Sequence, residues 1–446
     1  MQTLKTLVLT CVGVLLTFNP GLQGNANSIS TEQLRADLNY LAADQLAGRA
    51  NFSEHIDEAA NYIGKRFSNI GLSPIAGDDS YLNTFTVFGL SVGNIKVSVD
   101  QVEIANNDII VLGNSRHIGW SQTNKIDTLT ITADDNFHKK LALINQHKQD
   151  LLVLVDKAHA PIFARYRNHF NRARHYFELD QGPAAVMILS ESLAPESYQI
   201  EITNLAEKKS LSNVIGVLPG KAKKNEVVVF SAHYDHLGQS QSQGAKSKKD
   251  IIFNGADDNA SGVAAVINLA EHFKRKDINE RTLIFTAFSG EEIGGFGSKH
   301  FSSSIQPKDI VAMINIEMIG KPSKFGAGEF WMTGYEKSDL GKILNTNLAR
   351  WQKKLHADPY PKFQLFYRSD NATLARLGVP AHSFSSSQID EDPHYHKFSD
   401  EIQTLDLNSM TKVVQSLALA VESVVNGSDK PARIKIEEIE SKGSFF

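Results

Sequence analysis

Beyond residue 220 the chain alternates apolar runs with amphipathic ones. VVVFSAH, TLIFTAFSG, VAMINIEM and VPAHSFS are aliphatic, β-branched or aromatic without clean alternation, as strands covered on both faces require. Between and after them lie helical patterns over 261–274, 338–352 and 405–425, the first with Val263, Val266, Ile267, Ala270 and Phe273 on one face. Strands exchanging with helices predict an α/β fold, a three-layer sandwich around a mostly parallel sheet. Function in such sheets gathers at the carboxyl ends of the strands.

The preceding residues have a different texture. STEQLRADLNYLAADQLAGR carries Leu34, Leu38, Leu41 and Leu46 near a helical period, with Ser30 or Thr31 as N-cap, and HIDEAANYIGKRFSNIGL ends on Gly71 at a C-cap. From about 95 to 210 short β-like runs appear (109–112, 128–132, 151–155, 184–189) without a paired acid or histidine cluster. Ala160 to Glu178, rich in Arg, His, Phe and Tyr, reads as a partly exposed helix or lid. The division expected is 1–26 signal peptide, 27–94 helical lead-in, 95–210 inserted β-rich accessory block, 211–425 catalytic domain and 426–446 tail. Pocket walls would come from loops such as 237–253 and 360–370, although the first, rich in Gln, Ser and Lys, reads as a solvated excursion rather than a recognition element.

The extreme N-terminus sets the compartment. Lys5 precedes an uncharged apolar run from Leu7 to Phe18, then Pro20 and Gly21, and Gly24 and Ala26 supply small residues for cleavage after Ala26. The expected location is the periplasm, with secretion second. Cys11 is the only cysteine, so the mature chain would hold no disulfide or thiolate, and a metal site must use His, Asp and Glu. In 446 residues, 41% hydrophobic and 22% charged with net charge −4, nothing is basic enough for nucleic acid. No later segment is apolar enough to span a bilayer.

The chemistry lies at the strand ends. One strand runs into His233-Tyr234-Asp235-His236; Gly255-Ala256-Asp257-Asp258-Asn259 precedes a helix; others lead to Glu291-Glu292 and Glu317; DPHYHKFSD supplies His394, His396 and Asp400. Each piece has a plain structural alternative, such as a helix cap for 257–259 or a solvated turn for 291–292. Glu317 does not, because it sits between Ile316 and Met318, where a buried carboxylate is costly unless paired or metal-bound. Imidazole and carboxylate donors without thiolate suit a catalytic zinc. They are too many for one ion, and one Asp can bridge two.

His-x-Asp, Gly-Ala-Asp-Asp-Asn-Ala-Ser-Gly, Glu-Glu before Gly-x-x-Gly-Ser, Asn-x-Glu-Met-x-Gly and a late His together resemble the dinuclear zinc aminopeptidases of metallopeptidase family 28. The family also includes glutamate carboxypeptidases and the transferrin receptor. The resemblance covers 211–425 and extends more loosely over 32–90. It implies the zinc-exopeptidase fold, two Zn²⁺ per chain, and peptide substrates cut at the N-terminus. By motif, His233, Asp257, Glu292, Glu317 and His396 would hold the metals, with Asp257 bridging, and Glu291 would be the general base. Asp235 would fix the His233 tautomer through the other ring N–H.

Two departures stand out. Residue 317 is Glu where the family has Asp, and His394 competes with His396, which the spacing to Asp400 favours. DLLVLVDK with GPAAVMIL loosely resembles a protease-associated domain. Rival readings are a carboxypeptidase for acidic peptides, using Arg368 beside Ser369-Asp370 to hold substrate, a single-zinc glutaminyl cyclase, and a non-catalytic receptor-type module. N-terminal residue preference and oligomeric state are not written in the sequence.

Overall fold

The computed structural model describes residues 29–240 and 250–440. The leader expected over 1–26, residues 241–249 of the pocket loop and the tail from 441 lie outside these. Two helices open the described chain, α1 (Thr31–Leu41) and α2 (Glu54–Ile70). Ser30 caps the first by accepting the Gln33 N–H, and left-handed Gly71 ends the second.

The central sheet contains β1 (Leu82–Val99), β2 (Tyr198–Leu218), β3 (Lys223–His233), β4 (Arg281–Phe288), β5 (Ile310–Ile316), β6 (Phe330–Met332), β7 (Leu355–Ala357) and β8 (Ala381–Ser385). Their order across the sheet is β7-β6-β8-β5-β3-β4-β2-β1. Neighbours within β8-β5-β3-β4 are all parallel. These four are the uninterrupted apolar runs of the sequence, and helices on both faces explain why none alternates. On one face α1, α2, α3 (Gly262–Lys276), α4 (Leu340–Ala349) and α5 (Leu407–Ala420) share the largest core. On the other, Phe301, Leu374 and Ile434 pack over Val229, Ile284 and Met313. The architecture is an α/β sandwich in three layers. Phe230 stacks on Phe285 at 5.2 Å and meets Phe273 of α3; cutting such a ring to Ala costs about 3–5 kcal/mol.

Strands β1 and β2 form an antiparallel ribbon paired from Leu82↔Val214 to Val99↔Tyr198. At its far end lies a second, four-stranded sheet, in the order 109–112, 185–190, 151–156, 127–131. Helices Phe137–Gln146 and Ala160–Phe170 belong to this block, and Arg174–Tyr176 pairs with β1. Its core, with Ile110, Val153 and Met187, is separate from that of the main sheet.

Candidate metal centre

Register brings the donors together. Ser231 of β3 pairs with Asn315 of β5, so two residues further on His233 and Glu317 lie side by side, with Nε2 3.0 Å from Oε1. His233 also pairs with Phe288 of β4, which brings Glu291 and Glu292 to the same edge. Glu292 Oε1 lies 2.8 Å from His236 Nδ1 and 3.5 Å from His396 Nε2. The longer side chain at 317 is anchored at its tip, where Ser369 Oγ donates to Oε2 at 2.7 Å and itself accepts from Asn315.

Asp258 stands between the two groups. Its Oδ1 lies 3.2 Å from His233 Nε2, and its Oδ2 lies 3.1 Å from His396 Nε2. The segment from Ala256 to Ser261 is an irregular turn in which Asp258 and Asn259 leave helical geometry, so neighbouring side chains diverge. Asn259 binds the Ile316 carbonyl and accepts from Gly262 and Met318. Only glycine fits at 262, where a Cβ would come 2.4 Å from Ile316 O.

Asp257, expected to bridge, faces the other way. Its Oδ1 accepts the Gly320 N–H at 2.7 Å and its Oδ2 lies 3.5 Å from Lys321; the divergent turn takes Asp257 out of both groups and puts Asp258 in. Burial first, then Asp400, push its carboxyl up to about 7. The Asp235 expectation also changes. His233 Nδ1 bonds the Asp235 backbone carbonyl at 3.1 Å, while the carboxylate, 3.8 Å away, accepts the Glu291 and Glu292 N–H groups and Asn51. Its side chain thus braces the Glu-Glu turn, and its main chain orients the imidazole.

His396, not His394, reaches the cluster; His394 turns to Ser399 Oγ at 2.9 Å. Arg368 is exposed and lines the cleft, whereas Asp370, expected beside it in substrate binding, is buried beneath the site at 2% exposure. The short turn from Leu365 to Tyr367 presents Arg368 outward, and Asp370 begins the following helix in the core. His236 was not among the expected site residues; its only sequence signal was its place three residues after His233. Asp400 underlies the turn, accepting the N–H groups of Asp257 and Asp258.

Charge is dense here. Burial opposes a charge on His396, but Asp258 and Glu292 outweigh it and lift the imidazole to about 10. Asp258 is held well below its ordinary range despite burial, by His236, His233 and His396. Glu291 is pushed well above the usual carboxylate range, by burial and then by Asp370, Glu317 and Glu292 against the pull of His233. The acids and imidazoles form two ligand-like groups, His233–Asp258–Glu317 and His236–Asp258–Glu292, each with donor atoms within 4.8 Å of one another. Among the described residues, His236 Nε2 is buried and meets no hydrogen-bond partner. Crowded carboxylates with imidazole and no thiolate are the donor chemistry of a zinc-type centre, and the residues fit such an ion.

The cleft is a cavity of about 350 Å³. Trp331, Met318, Leu365 and Ile389 give it apolar walls, and Ser383, Ser385 and Ser387 lie along one side. Trp331 is fixed by its indole N–H on the Ser387 carbonyl at 3.2 Å.

Parallel strand ends closing on a histidine–carboxylate cluster beside a cleft define an α/β protein with a metal-centre scaffold. More particularly, residues 213–421 match the model of peptidase family M28. Aminopeptidase YwaD of Bacillus subtilis is 23% identical over 247 residues, covering 52% of this chain and 48% of that protein. The chain thus spans about half the length of this curated relative. An aminopeptidase from Aneurinibacillus sp. strain AM-1 superposes with TM-score 0.54 at 16% identity, over 93% of this chain and 96% of that one. BSAP, a zinc aminopeptidase from Bacillus subtilis, gives 0.54 at 14%, over 94% and 98%. At these identities the structural likeness establishes the shared fold.

Proposed function

We propose that this protein is a two-zinc aminopeptidase that removes N-terminal residues from peptides. The observation that carries the reading is Asp258, with one carboxylate oxygen toward His233 and the other toward His396. In this reading Asp258 takes the bridging role that the family motif suggested for Asp257. His233 and Glu317 would hold one ion with it, and Glu292 and His396 the other. The family match and the aminopeptidases among its relatives support zinc and peptide hydrolysis.

When bound, zinc supplies a Lewis acid that acidifies water and polarises a carbonyl. The chain supplies the proton carrier. The Glu291 carboxylate takes a proton from the attacking water as its oxygen bonds to the scissile carbonyl carbon. It gives that proton to the departing amine nitrogen as the C–N bond breaks, ending as it began. The apolar cleft walls would hold the side chain of the residue being removed, and Arg368 at the rim would meet a carboxylate further along the peptide.

Purified protein should cleave free peptides and spare their N-acetylated forms, lose activity to a chelator and regain it with zinc. Glu291→Gln should lower kcat about 10²–10⁴-fold with metal content unchanged; turnover within a few-fold of wild type would remove Glu291 from the role. Arg368 has no ion pair among the described residues, which favours a carboxypeptidase as second reading, and cleavage of the acetylated peptides from the other end would select it. An exported, periplasmic location is supported by the uncharged Leu7–Phe18 run. Sequencing the N-terminus of protein from a periplasmic fraction tests it, with Asn27 expected first. The block expected at 95–210 is proposed to be an accessory domain carried on the β1–β2 ribbon, whose paired strands run through both expected bounds.

A further inference from the structure

The short stretch from Ala47 to Asn51 lies far from the ligands in sequence and directly against their loops. Ala47, Gly48 and Arg49 run consecutively in left-handed conformation, with φ of 45°, 71° and 49°. At Gly48 a Cβ would stand 2.4 Å from Phe253 O and 2.5 Å from Gly238 O, so the backbone enters a gap that admits no side chain. The turn then drives Arg49 inward, to 1% exposure.

The guanidinium meets only carbonyls. Nε donates to Tyr234 O at 2.8 Å, Nη1 to Asn254 O at 2.7 Å and to Leu41 O, and Nη2 to Gly255 O at 3.0 Å. Tyr234 follows His233, and Asn254-Gly255 opens the turn that carries Asp258. The Arg49 carbonyl in turn accepts the His236 N–H at 3.2 Å, and Asn51 binds Asp235 at 2.7 Å. No carboxylate pairs with this buried cation among the described residues; Asp235, Asp258, Asp400 and Glu292 act on it only through space. A buried guanidinium without a partner acid is costly. Burial lowers its pKa to about 10, which leaves it charged at neutral pH.

We infer that Arg49 is a positioning residue for the metal centre: its planar fork sets the spacing between the His233 and Asp258 loops, and its fixed charge offsets the carboxylates above. Fork and charge are separable. Lysine keeps the charge but cannot reach carbonyls of three segments at once, and methionine loses both. The inference rests on the zinc reading of the cluster.

The test compares wild type, Arg49→Lys and Arg49→Met in the full mature chain, by chelator-competed zinc affinity and by urea unfolding with and without zinc. The expected result is zinc affinity at least ~10-fold weaker in Arg49→Lys and weaker again in Arg49→Met. The loss of stability should be larger in the zinc-loaded proteins than in the zinc-free ones, because a misaligned site forfeits binding energy that only the loaded state contains. Affinities within twofold of wild type would overturn the inference. So would equal losses with and without zinc, or failure of both variants to fold in saturating zinc, since either makes Arg49 a general scaffold residue. Wild type that binds no zinc would instead sink the metal reading itself.

Discussion

The protein has two sheets with parallel strands, and their strand ends are built on opposite principles. In the accessory sheet several polar groups at the carboxyl ends of the parallel strands close on their own neighbourhood. Asp156, ending the strand 151–156, accepts the Ala158 N–H at 2.8 Å, and Ser190 accepts from Ser192 at 3.1 Å. Asp135 takes the Thr132 N–H and hydroxyl, and the N–H bond keeps its carboxyl low. In the central sheet the partners are distant in sequence and buried or half-buried. His233 meets Glu317, Asp258 meets His396, and Asp400 holds the main chain of Asp257 and Asp258. Local satisfaction finishes a turn and leaves nothing to bind. Several acids and imidazoles buried against one another at long range are expensive, and they persist where a cation or a substrate shares the cost.

The sharpest break in this contrast is at Asp258. Asp258→Ala should abolish metal retention and lower kcat about 10³-fold, measured by elemental analysis and peptide turnover. Wild-type metal content in that variant would defeat the bridging role. Next comes Asp400→Asn, which leaves only one oxygen for the turn's N–H groups and should weaken metal binding about 10–100-fold in a chelator titration. Asp257→Asn is milder. An amide oxygen still accepts the Gly320 N–H, and Lys321 keeps Asp392 at 2.7 Å, so kcat should stay within about tenfold of wild type. Smallest is Asp156→Ala in the accessory sheet, expected to cost no more than about 1 kcal/mol in urea unfolding and to leave turnover unchanged.

How far the sequence carried depends on the range of the interaction. The four parallel strands were legible because burial on both faces removes polar alternation, and Ser30 and Gly71 because capping is decided within a few residues. The β1–β2 ribbon was not. Much of it is exposed, as at Glu207 and Lys208, and the paired residues lie about a hundred positions apart or more. Asp257 and Asp258 are chemically identical neighbours, and only the non-helical turn decides which one faces the histidines. His236, Ser369 and Arg49 enter through contacts that no local pattern encodes. The Asp235 carboxylate went to the Glu291-Glu292 N–H groups for the same reason, since its nearness to His233 in sequence says nothing of where the turn after β4 will pass.

The crossing of so many segments at one point has a consequence in time. The donor residues run from His233 to His396, and none meets another until β3, β4, β5 and the turn after Phe253 are stacked in their final order. Such non-local pairings form late in folding. In the proposed reading, a growing or unfolded chain therefore carries all the donor residues and none of the capacity to hold an ion.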